Sequence, residues 1–323
     1  MPRKIEISHK TIVFAVSFIL LLWFLYFIRD IIFTVFVALL LMAIINPLVK
    51  TLSRFRIPRA ISVLIVYVFV VGLIIVTIAN LAPALVEQTS NFASGLPSYL
   101  SNLSFISKIG DQIYAQILSQ IVNLPGQIVG FGVSLVSNII NILTILILAF
   151  YFLLARNKLD DQLASLVGKE RGDKLARVVD ELEIKLGGWA RGQLALMFIV
   201  GLFTYLGLRI LGIPFALPLS IFAGLIEVIP YMGPVIGAIP AVIIGFGISP
   251  VMGLAVLALG FLTHQLENYV FAPKIIEKSV GVAPIITLLA LAIGLKVAGV
   301  AGVLLSVPVV LTLQVIGKHY FAK

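Results

Sequence analysis

Residues 11–28 and 31–49 read TIVFAVSFILLLWFLYFI and IIFTVFVALLLMAIINPLV, two apolar runs parted only by Arg29-Asp30. A helix needs about 20 predominantly apolar residues to cross a lipid core of roughly 30 Å. The pair therefore predicts two spans joined as a tight hairpin. Arg3, Lys4 and Lys10 precede the first run as they would in a signal peptide, but no small-x-small cleavage site follows, so an uncleaved first span is expected. The same material recurs along the chain. Of 323 residues, 61% are hydrophobic and 11% charged, and the mean hydropathy is +1.16. Soluble domains carry roughly a quarter charged residues, so lipid is the solvent for most of this chain. The fold class is an all-α, polytopic integral membrane bundle.

Several chemistries are excluded by composition. The chain has no cysteine, and His9, His264 and His319 lie far apart in sequence, which leaves no metal-ligand cluster. Phosphate-cradling, zinc-protease and nucleophile-elbow motifs are absent. Neither an enzyme nor a cofactor-dependent protein is expected, and ATP hydrolysis is not the driving force. The formal charge of +9 arises from basic residues beside apolar spans, which suits a membrane surface rather than nucleic acid.

Outward from the opening pair, Lys50, Arg54, Arg56 and Arg59 crowd one short loop. By the positive-inside rule, that loop and the N-terminus are cytoplasmic. A run from Ala60 to Ala82 completes an N-terminal three-span region, 1–82. Residues 83–130 are polar and sparsely charged; Leu103, Ile106, Ile109, Ile113, Ile117 and Ile121 recur at helical spacing, which predicts an extracytoplasmic amphipathic insert. It would cover the bundle, lie on lipid, or gate a path. A fourth span covers 131–155. Residues 156–187 nearly balance acids and bases and read as a cytoplasmic pair of helices joined near Arg171-Gly172, a connector with a surface for homo-oligomer contact.

Residues 188–317 form the expected transport core, and 318–323 a short cytoplasmic tail. From Trp189 onward only ten of 135 residues are charged. Trp189 and Arg191 mark an interface, with Arg209 snorkelling at the far end of the same span. Pro230, Gly233, Pro234, Gly237, Pro240, Pro273, Pro284, Gly299, Gly302 and Pro308 break or closely pack the later helices. Pro234 to Ile248 would measure only about 22 Å as a helix, so it either spans obliquely or turns back. Residues 245–250 and 294–299 read as tips of broken or re-entrant hairpins, tolerated only where protein or water satisfies the backbone. The two hairpins align at one offset, Gly245 over Gly294 and Gly253 over Gly302. Paired interruptions of this kind point to a transport site.

An ionised acid at the centre of a span costs about 2.5–3.5 kcal/mol on insertion scales. Glu227 sits between Gly224-Leu-Ile and Val228-Ile-Pro, and Glu267 lies in the polar stretch Thr263-His-Gln-Leu-Glu-Asn-Tyr. His264, Glu267 and Asn268, at i, i+3 and i+4, share one helix face. Two arrangements fit. In one, Glu227 and Glu267 exchange protons or bind a cation while His264, Gln265 and Asn268 hydrogen-bond a polar solute. In the other, the same groups lock the helices together, with Lys296 as ion partner.

These residues resemble the autoinducer-2 exporter family, the PerM-type permeases. The resemblance rests on Glu227-Val-Ile-Pro-Tyr-Met-Gly-Pro-Val-Ile-Gly-Ala-Ile-Pro240, on Gln265-Leu-Glu-Asn-Tyr-Val-Phe-Ala-Pro-Lys274, and on Ser279-Val-Gly-Val-Ala-Pro284 through Gly299-x-x-Gly302 to Val307-Pro308. Ala283 stands where the family commonly has a histidine, so no proton role is carried over to that position. The resemblance implies an integral membrane transporter; with the cation bias, a multi-pass secondary transporter or facilitator of the cytoplasmic membrane is expected, with both termini cytoplasmic. Its partners would be lipid and a small polar solute such as autoinducer-2, or Na+ and H+ in antiport. A non-transporting scaffold for envelope proteins is the third reading.

Overall fold

A computed structural model describes residues 9–101, 138–275 and 281–320. The helical periodicity expected at 103–121 lies outside the described residues. All regular elements among the described residues are helical: α1 (His9–Phe27), α2 (Arg29–Ser53), α3 (Arg59–Ser101), α4 (Ile139–Ala155), α5 (Leu159–Val167), α6 (Lys169–Ile210), α7 (Ala216–Ile226), α8 (Gly233–Ile248), α9 (Pro250–Leu266), α10 (Ala272–Ile275) and α11 (Pro284–Tyr320). Among the described residues six helical stretches, in α2, α3, α4–α5, α6, α9–α10 and α11, are long and apolar enough to cross a membrane. Their apolar windows are only 17–28% buried within the protein. Phe14 and Phe198 stand about 70% exposed, the surface of a protein solvated by hydrocarbon.

Two expected junctions take a different form. The hairpin at Arg29-Asp30 is a bend: Ile28 N–H donates to Phe24 O (2.9 Å) and Ile32 N–H to Ile28 O (3.0 Å), so helical bonding runs through it. No Gly or Pro stands there to reverse the chain. The connector helices part at Gly168, with φ +86°, and not at Arg171-Gly172. Only glycine enters that conformation without strain. Gly172 instead packs on the Ala164 backbone, where a Cβ would sit 2.5 Å from Cα. The third apolar helix also runs past Ala82 to Ser101, with Pro83 and Pro97 inside it.

α6 organises the molecule, because its two halves serve different purposes. Its charged first half is moored to α2 and α4. Glu183, whose side chain is 8% exposed, accepts from Asn46 Nδ2 (2.5 Å), Lys50 Nζ (3.2 Å) and Arg156 Nε (2.6 Å). Arg156 also pairs with Asp180, and Arg59 Nη2 donates to Asn46 Oδ1 at 2.9 Å. Arg191 Nη1 donates to Ala43 O at 2.8 Å, so this arginine ties α6 to α2. The apolar second half packs against α7 and α9, and its Leu208 joins a core cluster to which α3 and α8 also contribute. Phe92, Leu208, Leu219, Ala241, Ile244 and Val256 belong to the core there.

Helix breaks fall at both expected tips. α8 and α9 meet at Ser249, whose Oγ accepts from Met252 N (3.1 Å) and caps α9. α11 breaks at Ala298 and Gly299, the latter with φ +58°. In each hairpin the aligned glycines touch across the turn. A Cβ on Gly245 would lie 3.1 Å from Gly253 Cα, and one on Gly302 would overlap the Gly294 carbonyl. Ser306 Oγ bonds Ala290 O (2.9 Å) across the second hairpin. The offset that aligns the two sequences therefore also aligns two helix-pair contacts.

Candidate functional site: a buried carboxyl pair in a one-sided cavity

Glu227 caps the C-terminal end of α7, where the helix stops. Pro230 has no N–H to continue a ladder, and Tyr231 takes a left-handed φ of +66°. The chain then doubles back: a Cβ on Gly233 would lie 2.6 Å from Ile226 O and 2.8 Å from Glu227 Cα. Any side chain at 233 would thus displace the backbone that carries the acid. Gln193 of α6 completes the turn, its Nε2 donating to Glu227 O at 2.7 Å.

Glu267 comes from the opposite side. It opens a one-turn π-helix, Glu267–Phe271, whose Ala272 N–H reaches back to Glu267 O. Such widened turns recur at functional sites because the extra residue re-aims side chains. Here the carboxyl is turned into the same cavity that Glu227 lines. Glu227 is 1% exposed and Glu267 7%. Glu227 Oε2 is buried with no hydrogen-bond partner among the described residues. Among the described residues no lysine or arginine pairs with either acid; only His264 Nδ1 approaches, 3.4 Å from Glu267 Oε2. Asn268 Nδ2 lies 2.9 Å from His264 Nε2, so the consistent tautomer carries its proton on Nδ1, facing Glu267.

Both acids, His264 and Asn268 line a cavity of about 390 Å³, together with Trp189, Gln193, Tyr231, Thr287 and Val307 among others. Pro230, Pro273 and Gly281 contribute to its wall. Gln265 is half-buried and outside this lining, and Lys296 is exposed near the α11 break. The ion partner that the sequence offered is therefore not at the acids. Trp189, expected at an interface, is 5% exposed and faces the cavity. Gln193 and Thr287 were missed by sequence reasoning. The signal existed in α6, where Trp189, Gln193 and Leu196 fall on one face at helical spacing.

A helical bundle with exposed apolar flanks, interrupted helices and buried acids around a partly polar hollow is the architecture of a polytopic membrane transporter. Comparison with known proteins gives the family. The model described as "AI-2E family transporter" matches residues 12–322, and the chain belongs to that family. It is 29% identical over 309 residues to "Putative transport protein YueF" of Bacillus subtilis (strain 168), covering 88% of this chain and 83% of that one. It is 27% identical to a "Putative transport protein" of Thermotoga maritima, with 98% of each chain covered. A third relative, "Sodium-lithium/proton antiporter" of Halobacillus andaensis, is 24% identical, with 87% of each chain covered.

Proposed function

We propose that this transporter exchanges a monovalent cation for protons at the Glu227–Glu267 pair. The observation that carries the reading is two buried carboxyls lining one cavity, with no lysine or arginine paired to either among the described residues. Two acids brought together in a low-dielectric pocket need a positive charge between them. A proton and a small alkali cation are alternative occupants of the same space, and competition between them is the basis of antiport. His264 holds Glu267 in register, Gln193 holds the backbone of Glu227, and the cavity supplies water on one side. The relative named as a sodium-lithium/proton antiporter supports the same choice.

A second reading is export of a small polar metabolite such as autoinducer-2. It is favoured by the cavity volume of about 390 Å³, far more than the roughly 30 Å³ of one water. Its side chains Asn268, Thr287 and Tyr231 offer hydrogen bonds. The acids would then couple solute movement to protons. Purified protein in liposomes with an imposed pH gradient separates the two. Antiport predicts that adding NaCl or LiCl alone collapses the gradient. A gradient unmoved by either salt but dissipated by a polar solute refutes antiport in favour of export.

A further inference from the structure

One face of α6 continues beyond the acids. Trp189, Gln193 and Leu196 line the wide cavity, and Val200, Thr204 and Leu208 line a second, narrow cleft of about 30 Å³. The steps of four, three, four, four and four keep all six on one stripe. From 189 to 208 the stripe rises about 28 Å at 1.5 Å per residue, close to the whole hydrocarbon thickness of roughly 30 Å. His264 and Glu267 belong to both spaces and stand where they meet. The charged half of α6 identifies the ends: the wide cavity lies on the connector side of the acids, and the cleft lies beyond them.

The cleft is closed by apolar side chains. Leu208 is fully buried and Val256 3% exposed. Leu259 packs directly on bare backbone of α6 at Gly207, where a Cβ would overlap the leucine methyls. Among the lining, Thr204 and Thr263 add hydroxyls between the constriction and Glu267.

We propose that this cleft is the second, closed half of the permeation path, and that Leu208, Val256 and Leu259 form its gate on the face opposite the connector. A small cation or polar solute released from the acids would pass Thr263 and Thr204 before the leucines part. The proposal rests on the transport reading but not on which cargo is moved. The chain has no cysteine, so single thiols report the path directly. Ala272→Cys marks the wide cavity and Thr204→Cys the cleft; each is treated in oriented vesicles with a membrane-impermeant methanethiosulfonate.

Ala272→Cys is expected to react from the connector face. Thr204→Cys reacts at least tenfold more slowly, and adding Leu259→Ala abolishes that protection from the opposite face, whereas Leu259→Met preserves it. If Leu259→Ala does not survive purification, Leu208→Ala thins the same constriction from the facing helix. Equal labelling of Thr204→Cys with and without the opened gate overturns the proposal, as does labelling from the connector face alone. Failure here with salt-driven exchange intact rejects the gate and leaves the carboxyl pair standing. A proven gate with no salt-driven exchange rejects only the cargo.

Discussion

The same substitution, Gly to Ala, should have opposite consequences at two positions of α11. At Gly302 an added Cβ would meet the Gly294 carbonyl carbon and oxygen and stand 3.1 Å from Gly294 Cα. All three are backbone atoms, so no side chain can rotate away, and the two arms of the hairpin must separate. Overpacking of this kind costs about 1–3 kcal/mol. At Gly317 nothing lies within 4 Å of the new methyl. There alanine removes the helix penalty of glycine, about 1 kcal/mol in favour of the variant. The two variants should therefore differ by roughly 2–4 kcal/mol, or about 4–16 °C at 2–4 °C per kcal/mol. Thermal unfolding of the detergent-solubilised protein, followed by size-exclusion recovery, reads that gap. Because Thr287 and Val307 line the cavity from opposite sides of the break, Gly302→Ala should also lose transport activity while Gly317→Ala keeps it. Equal melting temperatures would refute the close hairpin, and with it the wall it builds.

Three further outcomes follow from the charge distribution. Arg156→Met leaves the Glu183 carboxylate without its buried cationic partner, and loss of one member of a buried pair costs about 3–5 kcal/mol; Arg156→Met with Glu183→Leu should recover much of the melting temperature. Glu181, in the charged half of α6 outside the apolar spans, accepts from Lys318 (3.0 Å), with His319 at 3.6 Å and Lys185 at 3.8 Å. The hydrogen bond and charge of Lys318, outweighing partial desolvation, hold this carboxyl below its ordinary value of 4.5. The folded form thus binds its proton less readily than the unfolded chain. The contact contributes above pH 4.5 and is lost only as pH falls through the lower folded value. A spin label at Ile316→Cys should stay immobile at pH 5 and loosen in stronger acid; loosening near pH 6 would contradict the assignment. Lys296→Gln should leave transport unchanged, since the lysine is exposed and away from the cavity lining; loss of transport would return it to the path.

The legible and illegible parts of the sequence divide by the range of the forces involved. Apolar runs long enough to cross a bilayer are a local property, so the helical membrane class and the break points at Ser249 and Gly299 could be read from Pro, Gly and hydropathy alone. The spacing of His264, Glu267 and Asn268 likewise fixed a shared face. What two distant segments do to each other was not legible. The approach of Glu227 to Glu267 depends on a π-turn and on the fold-back at Gly233, and neither has a strong local signature. Trp189 beside Arg191 has the composition of an interface, yet α6 turns it inward because Arg191 is engaged by the Ala43 carbonyl of α2. The junction at Arg29-Asp30 misled for the converse reason: two charges interrupt an apolar run, but the helix bends there without reversing.

Under the proposed exchange, Glu227 and Glu267 act on the cargo. Salt-driven dissipation of a pH gradient, measured on liposomes carrying Glu227→Gln or Glu267→Gln, tests it most directly when each variant's melting temperature is recorded alongside. The account predicts loss of exchange in both with folding retained. Full exchange in both, with lowered melting temperatures, would make the pair a structural lock and contradict it.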